Sequence, residues 1–183
     1  ELKDPLSYLG VYFFNANGAS KISSAARSFK ELGYRVCVFA DSDEQEQFGS
    51  EEQASLSSQG INVFVWPDNT SIEERVLCDI PWNQTKASFD LHRQNIGDDN
   101  VAVNQVAAQY AGDDFHRDFE SWTEGPKLKT AIAKAAKHSD WFKRQDLAEE
   151  WCTKISRSLS DSRETASTTT TLLRNIRQWV DDE

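Results

Sequence analysis

The sequence predicts an α/β fold: a parallel sheet flanked by helices, with a helical subdomain inserted in it. Three observations carry this. Short apolar, β-favouring runs alternate with helical stripes in the first third of the chain, in the order strand, helix, strand, helix, strand. That order implies right-handed crossovers and parallel pairing. From Pro81 to about Leu159 no convincing strand occurs, and the patterns there are helical.

The elements follow in order. Leu9 to Phe14 (LGVYFF) is expected as a first buried strand. Asn15-Ala16-Asn17-Gly18 is a small polar turn of residues that tolerate positive φ, and Ser20 is a candidate helix cap. Ile22, Ala25, Ala26, Phe29 and Leu32 form a helical stripe that Gly33 ends. Val36 to Ala40 then reads as a strand buried on both faces, followed at once by Asp41-Ser42-Asp43. Ser50–Gln59 is an expected helix stopped by Gly60, and Ile61–Trp66 (INVFVW) a third strand. Pro67-Asp68-Asn69-Thr70 is a turn, and Ser71-Ile72-Glu73-Glu74 fits a capping box opening the next helix. Further helices are expected at Trp82–Arg93, Asn100–Ala111, Pro126–Lys137 and Gln145–Leu159. Ser160–Thr170, rich in Ser and Thr, reads as a loop or linker. Leu172, Leu173, Ile176, Trp179 and Val180 make a last amphipathic helix. This divides the chain into a core of 1–82 with 138–183 and a helical subdomain of 83–137.

The 183 residues suffice for one sizeable core, and 38% apolar with 11% aromatic content is that of a folded protein. Three scattered cysteines exclude a disulfide scaffold and fit a reducing cytosol. No apolar run is long enough to span a membrane, and no signal peptide opens the chain. The chain contains no methionine, which reads as a fragment of something longer. The net charge of −10 argues against nucleic acid. Its distribution argues the other way: Lys127 to Arg144 holds six basic residues and one acid, a local charge of +5.

Four constellations could carry chemistry. Asp41 and Asp43 leave the carboxyl end of a strand, where open α/β sheets bind ligands, and a hard divalent cation such as Mg²⁺ or Mn²⁺ would relieve their repulsion. Their plainer alternative is a pair of loop acids capping the next helix. Ser71 and Glu73 follow the strand ending at Trp66, on the same side of a parallel sheet. Their alternative is a cap, with Glu73 beside the helix's positive end. Lys143, anchored by Trp141 and Phe142 where the chain rejoins the sheet, could stabilise charge on a phosphate. The lysines before it, Lys129, Lys134 and Lys137, with Arg144, are a candidate DNA-contacting surface or a solvated basic face. The Asn15–Gly18 turn could offer N–H groups to an anion, but it is no P-loop. His92, His116 and His138 lack ligand-spaced partners and read as ordinary surface or boundary residues. Trp82, Phe89, Trp122, Trp141 and Trp151 read as core.

VCVFADSDE behind a strand, turn and helix resembles the Toprim fold of topoisomerases, primases and some nucleases. INVFVWPDNTSIEERVLCDIPW and KTAIAKAAKHSDWFKR resemble the carboxyl-terminal region of OLD (overcoming lysogenization defect) family ATP-dependent endonucleases, nearer to the second class. The likeness runs from about Leu9 to Arg144. It implies a cytoplasmic, two-metal DNA endonuclease using Mg²⁺ or Mn²⁺. It also implies an ATPase domain preceding this region in the same protein, and a homodimer of the full-length protein. By its motifs Asp41 and Asp43 would be metal ligands, Glu73 with Ser71 would complete a metal site, and Lys143 would stabilise the transition state. The Asn15–Gly18 turn departs from the family's more acidic, glycine-rich form. The family's first-motif glutamate is not assigned, since Glu1 stands too close to Leu9, and no Walker A sequence occurs. Two other classes remain: a Toprim unit of a topoisomerase or primase, and a non-enzymatic, receiver-like Mg²⁺-binding domain.

Overall fold

The computed structural model describes residues 6–143, 149–153, 155 and 167–182. The chain is α/β and divides into two compact units, Glu1–Asn69 with Leu172–Glu183, and Thr70–Thr171. Each is described by itself. The helix that opens at Ser71 and the stretch 138–171 therefore group with the helical unit, and Lys143 with them.

The sheet unit holds two parallel strands, β1 (Cys37–Ala40) and β2 (Asn62–Val65), in register from Cys37↔Asn62 to Ala40↔Val65. Pairing continues past both ends: Asn62 N–H donates to the Val36 carbonyl and Trp66 N–H to that of Ala40. Helices α1 (Ile22–Glu31) and α2 (Ser50–Ser58) cover it. Val38, Ala40, Val63 and Val65 meet Ala26, Phe48, Leu56 and Ile61 in one apolar cluster. The opposite face carries Phe39, 41% exposed, and Asn62, also exposed. So β1 is buried on one face, not two. Its alternation is that of a one-sided sheet, which the apolar run Val36–Ala40 had concealed. Arg27 ties α1 to α2 through Glu52 (2.7 Å) and Ser55 (3.2 Å).

The expected first strand is absent. Leu6–Leu9 forms a short 3₁₀ turn, Gly10 takes φ 73°, and the following residues run without regular structure. Tyr12, Phe13 and Phe14 are 82, 83 and 63% exposed. β-propensity is realised only against a neighbouring strand, and among the described residues this segment has none. Phe14 instead packs edge-on against Phe29 of α1, 5.0 Å between ring centres. The turn behind it behaves as expected: Asn17 and Gly18 take φ 56° and 117°, and Asn15 Oδ1 accepts from Asn17 N–H. Ser20 does not cap α1. It lies inside a 3₁₀ turn, Ala19–Lys21, that feeds the helix.

The helical unit contains α3 (Ile72–Asp79), α4 (Trp82–Ile96), α5 (Asp99–Ala107) and α6 (Pro126–His138). Their punctuation is local. Gly97 at φ 72° closes α4, Asp98 caps α5 by accepting from Asn100 and Val101 N–H, and Pro126 starts α6. α5 stops four residues short of the expected Ala111. Ala131, Ile132, Ala135 and Ala136 of α6 are fully buried, and these mostly small side chains let α3 and α4 approach closely. Phe89 is the hub of the core, with ring centres of Trp122 at 4.8 Å, Phe119 at 5.9 Å and Trp141 at 6.2 Å. Residues 149–153 and 155 are helical, and the remainder of the expected Gln145–Leu159 helix lies outside the described residues. So do 160–166 of the expected loop, but Thr168–Thr170 is already helix: α7 spans Thr168–Asp181. Two caps explain the early start. Ser167 Oγ accepts from Thr170 N–H, and the Asp79 carboxylate accepts from Thr169 N–H at 2.7 Å.

Candidate functional site

Asp41-Ser42-Asp43 begins where β1 ends. Because Ala40 pairs with Val65, the carboxyl ends of both strands lie side by side, and Trp66-Pro67-Asp68-Asn69 departs next to the acidic loop. Asp68 and Asn69 take φ 62° and 57°, turning the chain sharply. Asp41 and Asp43 are half-buried and flank the buried Ser42.

Backbone bonds and Phe48 help to fix the loop. Gln47 and Phe48 N–H donate to the Glu44 carbonyl, and Phe48, 1% exposed, anchors in the sheet unit's core. Gly49 sits so close to the chain that a Cβ there would meet the Gln45 carbonyl oxygen at 2.6 Å. α2 is capped by that glycine, without a side-chain bond, so neither Asp41 nor Asp43 is its cap. The acids are hard oxygen donors with no His or Cys beside them in sequence. Mg²⁺ needs only one or two carboxylates besides water and substrate phosphate, so the donor chemistry fits that ion. Among the described residues no group of three or more His, Cys, Asp or Glu side chains is gathered to hold a metal.

Ser71 and Glu73 open α3 in the helical unit. The capping box is complete: Ser71 Oγ accepts from Glu74 N–H at 3.3 Å, and Ser71 N–H donates to Glu74 Oε2 at 3.1 Å. Ser71 is therefore a cap whatever else it does. Glu73, 7% exposed, occupies the second helical position, beside the helix's positive end. The other end is also secured. Arg75 grips Asp79 with both Nε (3.1 Å) and a terminal nitrogen (2.7 Å).

The lysines of α6 reach α3 at both its ends. Lys129 Nζ donates to the Ile80 carbonyl at 2.6 Å, satisfying the carbonyl that follows the last turn. Lys137 Nζ lies 3.7 Å from Glu74 Oε2, within the capping box. Lys134 is exposed. Lys127 pairs loosely with Asp114 at 3.7 Å.

Behind α6, Trp141 N–H donates to the Ala136 carbonyl and Asp140 N–H to that of Lys137. This is a Schellman closure with Asp140, φ 54°, in the left-handed position. It places Trp141 in the core at 2% exposure, and Phe142 packs edge-on against Trp151 at 4.6 Å. Lys143 thus follows a fixed base, as the sequence predicts. Its ammonium pairs with Asp140 at 2.6 Å and is 68% exposed. Arg144 lies outside the described residues.

His92 is not a surface residue. It is buried, and its imidazole stacks on Trp141 at 4.0 Å and 17°. Burial pushes its pKa below the ordinary value, partly offset by a 2.7 Å hydrogen bond with Gln105. The signal was in the sequence: Thr85, Ser88, Phe89 and His92 are spaced as one helical face, and all four are buried. Burial also pushes the Cys37 and Cys78 thiols up, which disfavours the thiolate form.

Among the described residues no helix is long and apolar enough to cross a membrane. Compared with known proteins, the chain matches no family model, no curated protein and no solved structure.

Proposed function

We propose that this chain is the Toprim-like catalytic region of a metal-dependent DNA endonuclease, cleaving phosphodiester bonds with Mg²⁺ or Mn²⁺. The observation that carries the reading is Asp41-Ser42-Asp43 at the carboxyl end of β1, beside the end of β2, on a loop held by Phe48 and the close approach at Gly49. Neither acid caps the following helix, so that structural duty does not account for them.

In this reading Asp41 and Asp43 hold the ion. A bound divalent ion would polarise the phosphate and supply an activated water. Lys143 donates to the charge that develops on the phosphate, from a backbone fixed by Trp141. It must leave Asp140 to do so. Lys134 and Arg144 contact the DNA backbone, with Lys129 and Lys137 adding positive potential behind them. The DNA partner, an ATPase domain in the same polypeptide, a homodimer and a cytoplasmic setting belong to the same proposal.

One observation favours a second reading, a non-enzymatic Mg²⁺-binding module. Lys129 and Lys137, two of the lysines expected on DNA, are taken up by α3.

Supercoiled plasmid incubated with a panel of divalent ions separates the two. The nuclease reading expects nicking with Mn²⁺ or Mg²⁺ that a chelator abolishes. It also expects Lys143→Ala to lose roughly a hundredfold in single-turnover rate with DNA affinity retained. Metal binding without cleavage selects the second reading, and cleavage unaffected by chelator sinks both.

A further inference from the structure

One stretch of the sheet unit shows its apolar side chains to the outside. Tyr12 and Phe13 are 82 and 83% exposed, and Phe14 is 63% exposed. The Phe14 ring meets Phe29 of α1 at 5.0 Å, and Phe29 meets Tyr34 at 5.8 Å, both edge-on. The end of α1 holds Tyr34 in place. Gly33 N–H donates to the Lys30 carbonyl and Tyr34 N–H to that of Phe29, the paired bonds of a Schellman closure, with Gly33 at φ 87°. Leu32, 73% exposed, lies in the same turn. Phe14, Phe29 and Tyr34 therefore form a fixed platform, and Tyr12 and Phe13 adjoin it in the chain.

The size of this surface points to a protein partner. At about 200 Å² for a fully exposed aromatic residue, Tyr12, Phe13, Phe14 and Tyr34 (60% exposed) present roughly 600 Å². Leu32 and Leu9, 45% exposed, enlarge it. The largest apolar patch of an ordinary monomer is about 300–600 Å², and a specific interface takes about 800 Å² from each partner.

The charge distribution selects the partner. The chain carries a net charge of −10, so two copies repel. From Leu6 to Ser20 the sequence holds no charged residue, so copies can meet over this stretch without setting like charges against one another. Aromatic surfaces are also self-complementary, since rings pack edge-to-face on rings. Leu9–Phe14 is β-favouring in composition yet runs outside any strand. Across a two-fold axis such a segment can pair antiparallel with its own copy.

We propose that the chain forms a two-fold symmetric dimer through Leu9–Phe14 and the ring platform at the end of α1, the two LGVYFF segments pairing antiparallel. The homodimer in the proposed function is thereby given a surface. Only in that respect does the inference rest on that reading, since it uses no acid, metal or DNA.

Sedimentation of the full chain over a wide dilution series, without metal or DNA, measures the association. The expected result is a monomer–dimer equilibrium, with amide exchange at Val11–Phe14 slowed at high concentration and fast on dilution. Phe13→Asp sets two carboxylates against each other and should weaken the dimer roughly tenfold or more. Tyr12→Ser should weaken it without adding charge, and guards against a Phe13 variant that misfolds. Val101→Asp, at a 42% exposed site in the helical unit, should leave it unchanged. The inference is overturned by a monomer at every concentration or by association that runs past two copies. It is equally overturned by a dimer whose Val11–Phe14 amides exchange as in the monomer, by folded Phe13 and Tyr12 variants that dimerise as wild type, or by equal weakening with Val101→Asp. The two proposals fail separately. Dimerisation without metal-dependent cleavage removes the nuclease reading and keeps this surface. Cleavage by a protein that stays monomeric does the reverse.

Discussion

The two compact units use their charged residues differently. In the helical unit the notable charges are absorbed by helix ends. Glu74 completes the cap of α3, Lys137 reaches Glu74, Lys129 takes the carbonyl beyond α3, and Asp79 caps the first turn of α7. In the sheet unit, Asp41 and Asp43 follow a strand and cap nothing in the helix that comes next, while Phe48 and the backbone hold their loop. A charge that satisfies a helix terminus is accounted for by folding. A pair of acids at a strand's end that does not cap the next helix is not explained by capping, and that is where function is sought.

The strongest way to test the contrast is to damage the helical core. Trp141→Ala removes a fully packed ring that contacts Phe89 and His92 and closes α6. It should cost about 3–5 kcal/mol in urea unfolding followed by a probe in the helical unit. A cost below about 1 kcal/mol would mean this packing does not hold the unit together.

A smaller effect sharpens the assignment of the lysines. Lys129→Met keeps most of the stem and loses the bond to Ile80. It should destabilise by about 1.5–3 kcal/mol, the usual range for a hydrogen bond from a charged donor. Lys134→Met, on the exposed side, should stay within about 0.5 kcal/mol. The reverse pattern, a silent Lys129→Met that weakens DNA binding, would return Lys129 to the DNA face.

Much of this contrast was legible in the sequence, and what was not has a physical reason. β1, β2, α1, α2 and the capping box at Ser71 are written in local periodicity and local caps. LGVYFF carries the same β-favouring composition as β1 yet forms no strand, because a strand depends on a partner that composition does not specify. Asp41 and Asp43 were visible because their signal is local, two acids straight after an apolar run. The role of Lys129 was not. Its partner is a backbone carbonyl 49 residues away, which leaves no pattern in sequence. The surroundings of His92 join both cases. The stripe Thr85, Ser88, Phe89, His92 announces a buried face, but Gln105 and Trp141 reach it from separate segments.

The central proposal is that the acids after β1 hold a divalent cation. Calorimetric titration of Mn²⁺ into the wild type, Asp41→Asn and Asp43→Asn, with thermal unfolding of each without metal, tests it directly. The account predicts that the wild type binds and that either substitution weakens binding at least tenfold, about 1.4 kcal/mol, in variants that remain folded. Equal Mn²⁺ affinity in all three proteins, or no binding by the wild type, would contradict it.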